Sequence, residues 1–278
     1  MNRTPGSLLG TLAAALILAM GAGAAVAGGL QDTSSERFAD SDFTDNSKYI
    51  TNPWWTLTYG DTYLYHAEGE DGCEWNLMEV KSSYTHSFDL PYNGIKTRII
   101  LDRAWLDEDC DYEPTADGFA DFMDEVDPDP EESTYDWYAQ DEDENIWYMG
   151  EDTYNGEDKE GSFVAGCDGA EAGIVMLGDP ESGDFYQQEY YEDEAEDWGK
   201  VKNFIPADDD VCMKTKEWTP LETGHVEHKF YCSDGLSGEL SLVHELKGKT
   251  VVVELIATDV PAPDQAVDGH IAPTPSCI

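Results

Sequence analysis

Asp136-Trp137-Tyr138-Ala139-Gln140-Asp141-Glu142-Asp143-Glu144-Asn145-Ile146-Trp147-Tyr148-Met149-Gly150-Glu151-Asp152 sets two aromatic-rich arms around a five-residue polar centre. That is the pattern of a β-hairpin with a tight loop. Alternation places Trp137 on one face and Tyr138 on the other, and Trp147 and Tyr148 repeat the pattern on the return arm, where cross-strand aromatic pairs stabilise a sheet.

Outward from this hairpin the texture stays β. Asp61 to Ala67, Glu74 to Phe88, Ile95 to Trp105, Phe185 to Tyr191, Val211 to Trp218, Val226 to Tyr231 and Thr250 to Ala257 all read as strands or hairpins bounded by turn residues. No 10–15-residue amphipathic helices alternate with them, which disfavours a parallel α/β architecture. The fold class is therefore all-β and mainly antiparallel: a single curved-sheet, barrel-like or sandwich domain with a long acidic insertion. Asp107 to Ser133 is that insertion, with Phe119, Phe122 and Met123 supplying a helical turn or two. Tyr190 to Gly199 reads as a short helix stopped by Gly199.

The N-terminus carries Arg3, the apolar run Leu8 to Met20 and the small-x-small end Ala25-Val26-Ala27. This is the pattern of a secretory signal, too short an apolar run for a comfortable membrane span. The expected organisation is 1–27 signal peptide, 28–47 flexible lead-in, 48–259 β-rich domain with the insertion at 107–133, and 260–278 Pro-rich tail. The expected destination is the periplasm or the outside of the cell. Cys73, Cys110, Cys167, Cys212, Cys232 and Cys277 form an even set with no Cys-x-x-Cys spacing, so they read as structural disulfides, with fifteen connectivities open.

The chain has 60 Asp and Glu against 15 Lys and Arg, a formal net charge of −45. Removing the signal takes away Arg3 and no acid. Such a field repels nucleic acid and acidic polymers and concentrates cations, so cations and basic partners are the expected company. Acids spread over every loop suit a surface adapted to concentrated salt, where screening relieves their repulsion. Acids gathered at ligand spacing suit a cation site instead.

Two clusters have that spacing. Asp141, Asp143 and Asn145 occupy alternate positions with Asp152 as the closing carboxylate, like a calcium loop, although Ile146 stands where that loop turns on Gly. Glu189, Asp193 and Asp197 stack at i, i+4, i+8 if helical, with Glu192 and Glu196 beside them, a repulsion that a hard divalent cation such as calcium would relieve. A third segment, His225-Val226-Glu227-His228, splits its side chains between two faces of a strand and does not chelate one ion without a bulge. The standard catalytic signatures are absent: Gly235-Leu236-Ser237-Gly238-Glu239 ends in Glu where a nucleophile elbow needs Gly, and no phosphate loop or dinucleotide fingerprint is present.

The hairpin, together with Asn52-Pro53-Trp54-Trp55, Gly166-Cys167-Asp168-Gly169-Ala170, Gln188-Glu189-Tyr190-Tyr191, Thr215-Lys216-Glu217-Trp218-Thr219-Pro220-Leu221-Glu222 and Glu227-His228-Lys229-Phe230-Tyr231, resembles a family of uncharacterised secreted bacterial proteins. In that family the hairpin tip commonly reads Asp-x-Asp-Gly-Asn, and here Glu144 takes the glycine position. The resemblance implies secretion and one β-rich domain, and it carries over no catalytic residue.

The function expected from these observations is a secreted, acidic, non-catalytic binding protein associated with divalent cations such as calcium. One alternative is a pocket for an apolar or carbohydrate ligand lined by Trp54, Trp55, Trp137 and Trp147. Another is a hydrolase built on two carboxylates, which requires two acids at fixed separation in a cleft, one with a raised pKa.

Overall fold

The computed structural model describes residues 34–39, 41–69, 72–86, 91–126, 128–154, 162–207, 210–222, 224, 226–232, 239–246, 250–263 and 277. The expected export signal, Asp208 and Asp209, His225, the segment Gly235 to Gly238 and most of the Pro-rich tail lie outside the described residues. Along the chain run α1 (Ser34–Ala39), β1 (Thr62–Glu68), β2 (Cys73–Thr85), β3 (Lys96–Asp107), α2 (Ala116–Val126), β4 (Glu132–Gln140), β5 (Ile146–Tyr154), β6 (Phe163–Val164) and β7 (Glu171–Met176). They are followed by β8 (Phe185–Gln187), β9 (Glu189–Tyr190), β10 (Trp198–Ala207), β11 (Asp210–Trp218), β12 (Glu227–Cys232), β13 (Glu239–Leu246) and β14 (Thr250–Thr258).

The fold is all-β and antiparallel throughout its ladder. Thirteen strands follow the order β8-β10-β11-β12-β13-β14-β1-β2-β3-β4-β5-β7-β9, and β6 pairs with β5. Almost every neighbour is also next in sequence, so the chain builds the sheet as a long meander. The hydrogen-bonded ladder is not closed on itself, yet its two end strands, β8 and β9, are successive pieces of one segment parted by Gln188. Chain continuity therefore brings the two ends of the sheet together. Gly173 of β7 makes the junction possible: a Cβ there would stand 2.3 Å from the backbone carbon of Gln188.

One face of this sheet encloses the main core, which includes Tyr63, Tyr65, Met78, Ile100, Tyr138, Tyr148, Val201, Met213 and Tyr231. The opposite face of β1 to β3 is covered by α2. The acidic insertion thus holds an 11-residue helix, longer than the turn or two its sequence suggests. Thr115 caps it by accepting the Gly118 N–H at 3.0 Å. Phe119 and Phe122, three apart and on one side of the helix, pack on Trp75 and Trp105 at centroid distances of 5.5–6.2 Å. The acids that dominate the composition occupy the outer side, which hides the amphipathic pattern.

Two further expectations change. From Ser34 the lead-in belongs to the fold, because Phe38 of α1 is buried and packs edge-on against Trp147 at 5.0 Å. Tyr190 to Gly199 is not a helix: Tyr191 and Ala195 form a bridge around a turn, and β10 begins at Trp198. Gly199 stops nothing; a Cβ there would sit 2.5 Å from the Tyr186 ring, so the glycine makes room for that ring inside.

Cysteine pairing is Cys73–Cys110, Cys167–Cys277 and Cys212–Cys232. The second ties the C-terminal tail to the β6–β7 connection across 110 residues of chain. Such bridges belong to an oxidising compartment, and they fit an extracellular protein. Among the described residues no helix is long and apolar enough to cross a membrane.

Truncating Phe119 to Ala removes the ring that joins α2 to both tryptophans. It is expected to lower stability by about 3–5 kcal/mol, read as a lower denaturant midpoint with the β-sheet circular dichroism unchanged.

Candidate functional site in an acid-lined interior

Inside the sheet, on the face shared with Ile100 and Tyr138, stands a string of carboxyl groups that a hydrophobic core would not ordinarily contain. It runs through Asp102 on β3, Asp136 on β4, Glu151 on β5, Glu189 on β9 and Asp197 just before β10, crossing the seam where the two ends of the sheet meet. Asp102, Asp136, Glu151 and Glu189 are all buried, none more than 2% exposed.

A β-bulge builds the centre of this string. Between β4 and β5 the pairing shifts from Trp137–Gly150 to Tyr138–Tyr148, leaving Met149 as the extra residue. Tyr148 and Glu151, three residues apart, would point to opposite faces of a regular strand, and the bulge turns them to the same one. Gly150 carries the distortion at φ 139°, and a Cβ there would lie 2.5 Å from the Phe163 carbonyl oxygen.

As a result the Tyr148 hydroxyl reaches two carboxyl groups, Asp136 Oδ1 at 2.5 Å and Glu151 Oε2 at 2.7 Å. A phenol has one proton to donate. It can satisfy both oxygens only by donating to one and accepting from the other, so at least one of the two acids is protonated. Burial acts in the same sense. It pushes Asp136 up to about 7 and lifts Glu151 well above the usual carboxylate range, with the charges of Glu189 and Asp136 adding to it. Burial likewise raises Asp102, which accepts a hydrogen bond from the Asn76 amide. It raises Glu189 too, with Asp197 beside it.

Beyond the seam the charges are compensated. Lys229 on β12 lies 2.8 Å from Glu217 and 3.5 Å from Glu227. Burial opposes its charge, and the two acids outweigh burial and hold it protonated. Asp197 lies close enough to feel this group; burial and the charge of Glu227 push it up to about 6.

Several oxygens of the string find no hydrogen-bond partner in the protein: Asp136 Oδ2, Asp102 Oδ2, Glu189 Oε1 and Asp197 Oδ1; in the core near Glu217 and Lys229, Tyr186 Oη finds none either. Buried polar atoms are ordinarily satisfied, by protein, water or ligand.

The residues singled out from the sequence are distributed differently. Asp141 is a structural anchor: Oδ1 accepts the N–H groups of Asp143 and Asn145, and Oδ2 accepts the Asn145 amide and the Trp147 indole N–H at 2.8 Å. Its lone pairs are committed inside the hairpin tip. Asn145 presents Oδ1 to the Gly178 N–H, Asp143 is exposed, and Asp152 accepts the Tyr154 hydroxyl. Of the second cluster, Glu189 and Asp197 enter the interior, whereas Asp193 and Glu196 stay at the turn, where the Asp193 N–H bonds the Glu196 carboxylate. Among the described residues no group of three or more His, Cys, Asp or Glu is arranged to hold a metal ion.

Trp137 and Trp147 are fully buried, and Trp55 packs edge-on against Tyr138 at 5.1 Å. Trp54 lies half-buried against Phe204. Three of the four rings are spent on packing, and Trp54 keeps part of its surface open. Acids with raised pKa values exist, as a hydrolase would need, and Asp136 and Glu151 are both buried.

No known protein family matches the chain, and no curated relative does. Among solved structures, a Bacteroides fragilis protein with a YmcC-like fold is similar at a TM-score of 0.36 and 8% identity, over 74% of this chain and 98% of its own. Similarity at that level leaves function to the residues themselves.

Two outcomes follow from the geometry. Asp136 has a folded pKa raised above its unfolded value, so its contribution is full below about pH 4 and is lost as pH rises to about 7. In that window wild type should lose stability relative to Asp136→Asn by up to about 1.4 kcal/mol per pH unit, checked by urea unfolding of both at pH 4 to 8. At the hairpin tip Glu144 sits at φ 65°, a conformation costly for any side chain. Glu144→Gly is expected to raise the thermal midpoint by an amount worth about 0.5–1 kcal/mol, because strain relief exceeds the added unfolded-state entropy.

Proposed function

We propose that this chain is an exported, non-catalytic binding protein whose acid-lined interior receives a small cationic, hydrogen-bond-donating partner. The observation that carries the reading is the set of buried carboxyl oxygens without protein partners, on Asp136, Glu189 and Asp197. Donors and positive charge are what such a site lacks. An alkylammonium group supplies both in one body, and a divalent cation such as calcium supplies charge alone and needs the carboxylates to move into a cage around it. Either partner would bind the ionised acids and therefore compete with protons.

The test is thermal unfolding at pH 8 and fixed ionic strength, with calcium chloride, with 1,4-diaminobutane, or with sodium chloride only. A saturable rise in midpoint is expected for at least one cation, reaching about 2.7 kcal/mol of stabilisation at a hundred times its dissociation constant. Asp136→Asn and Glu189→Gln should abolish it. A midpoint that follows only total ionic strength would remove the interior site and leave a salt-adapted acidic surface.

A further inference from the structure

In a chain with 60 acids and 15 lysines and arginines, chance would surround each lysine with carboxylates. One sheet face breaks that expectation. On the outer side of β10 and β11 stand Lys200, Lys214 and Lys216, with Lys202 at the bulge between Val201 and Asn203. None of the four is within ion-pair distance of an acid among the described residues, whereas elsewhere Lys81, Lys96 and Lys229 are paired and, of the described lysines, Lys48 alone is not. Lys200 and Lys216 are direct cross-strand partners, and like charges placed opposite one another weaken a sheet. Strand pairing alone gives no reason for this arrangement.

The same face carries an aromatic platform. Phe185 of β8 stacks on Trp198 at 4.7 Å and 11° and on Trp218 at 5.5 Å and 17°, and all three rings are half-buried, with surface left to solvent. The Lys216 ammonium lies 5.0 Å over the Trp218 ring, and Lys214 lies 5.1 Å over Phe230. These contacts orient the ammonium groups and leave their charge uncancelled. The alternating inward residues of β11, Met213, Thr215 and Glu217, are the ones that face the core, so the lysines look outward.

We propose that the outer face of β8, β10 and β11 is a docking surface for an acidic polysaccharide. Its carboxylates would pair with the lysine rows, and its sugar rings would lie on the Phe185–Trp198–Trp218 stack. Charge complementarity selects the anion, and the flat rings beside the charges favour a glycan over a polyanion that has only charges to offer. The net charge that argues against acidic polymers is a sum over the whole surface, and within a Debye length of about 8–10 Å the local lysines dominate.

The surface is independent of the interior acids, so its test is separate. Binding of the full exported chain to polygalacturonate is measured at 50 mM salt, beside dextran, poly-L-glutamate and single-stranded DNA, with sedimentation of the protein alone. Polygalacturonate is expected to bind with an affinity at least tenfold above each of the other three. The Lys214→Gln/Lys216→Gln pair should weaken it at least tenfold, as should Trp218→Ala, whereas Lys48→Gln should leave it unchanged. Unaltered thermal midpoints in the lysine variant would separate lost binding from lost folding. No binding to polygalacturonate, equal binding to dextran or to poly-L-glutamate, tighter binding to DNA, or self-association through these lysines would each overturn the proposal.

Discussion

The Tyr148 hydroxyl, placed between Asp136 and Glu151, determines what kind of interior this protein can have. One phenolic proton cannot serve two carboxylates, so the centre of the acid string holds at least one proton of its own. Burial at these positions favours that near-neutral state, because an ionised carboxylate away from water is costly. The rest of the arrangement follows from this constraint. The bulge at Met149 and Gly150 exists at the point where Tyr148 and Glu151 must share a face, and Lys229 with Glu217 and Glu227 supplies the compensating ion pairs on the far side of the seam.

The seam gives the interior its second property. A long meander would end in two open edges, each a row of unpaired backbone groups. Here one segment, Phe185 to Tyr190, serves both ends, pairing with β10 through its first half and with β7 through its second. Glu189 stands on that segment, so the acid string and the joining of the sheet ends are built from the same few residues. A partner that moved Glu189 would load this junction directly, which couples occupancy of the interior to the integrity of the fold.

Charge is divided between inside and outside in an unusual way. The surface acids are numerous and mostly solvated, the interior acids are held toward neutrality, and four of the five unpaired lysines among the described residues are collected on one outer face beside stacked aromatic rings. Net charge averages over these three populations and describes none of them.

The hairpin at Asp136 to Asp152, the antiparallel class, the disulfide character of the cysteines and most strand positions were legible in the sequence, because alternation, turn residues and β-branched or aromatic runs act over a few neighbours. The 11 residues of α2 were half hidden by acids on its outer side, and β10 was masked by the same acids that made Tyr190 to Gly199 look helical. The candidate site was less legible still. Asp141 and Asp152 had the spacing of ligands, yet Asp141 is consumed by four hydrogen bonds within its own loop, while Asp102, Asp136 and Glu151 gave no local signal. Sequence by itself determined most of the strand segments and how acidic the whole is, since those are properties of neighbouring residues and of sums. Only the tertiary structure decided which acids are buried, which oxygens share a proton and which lysines stand unpaired. Those depend on strand register, a single bulge and the meeting of distant strands, and none of these is written in the spacing along the chain.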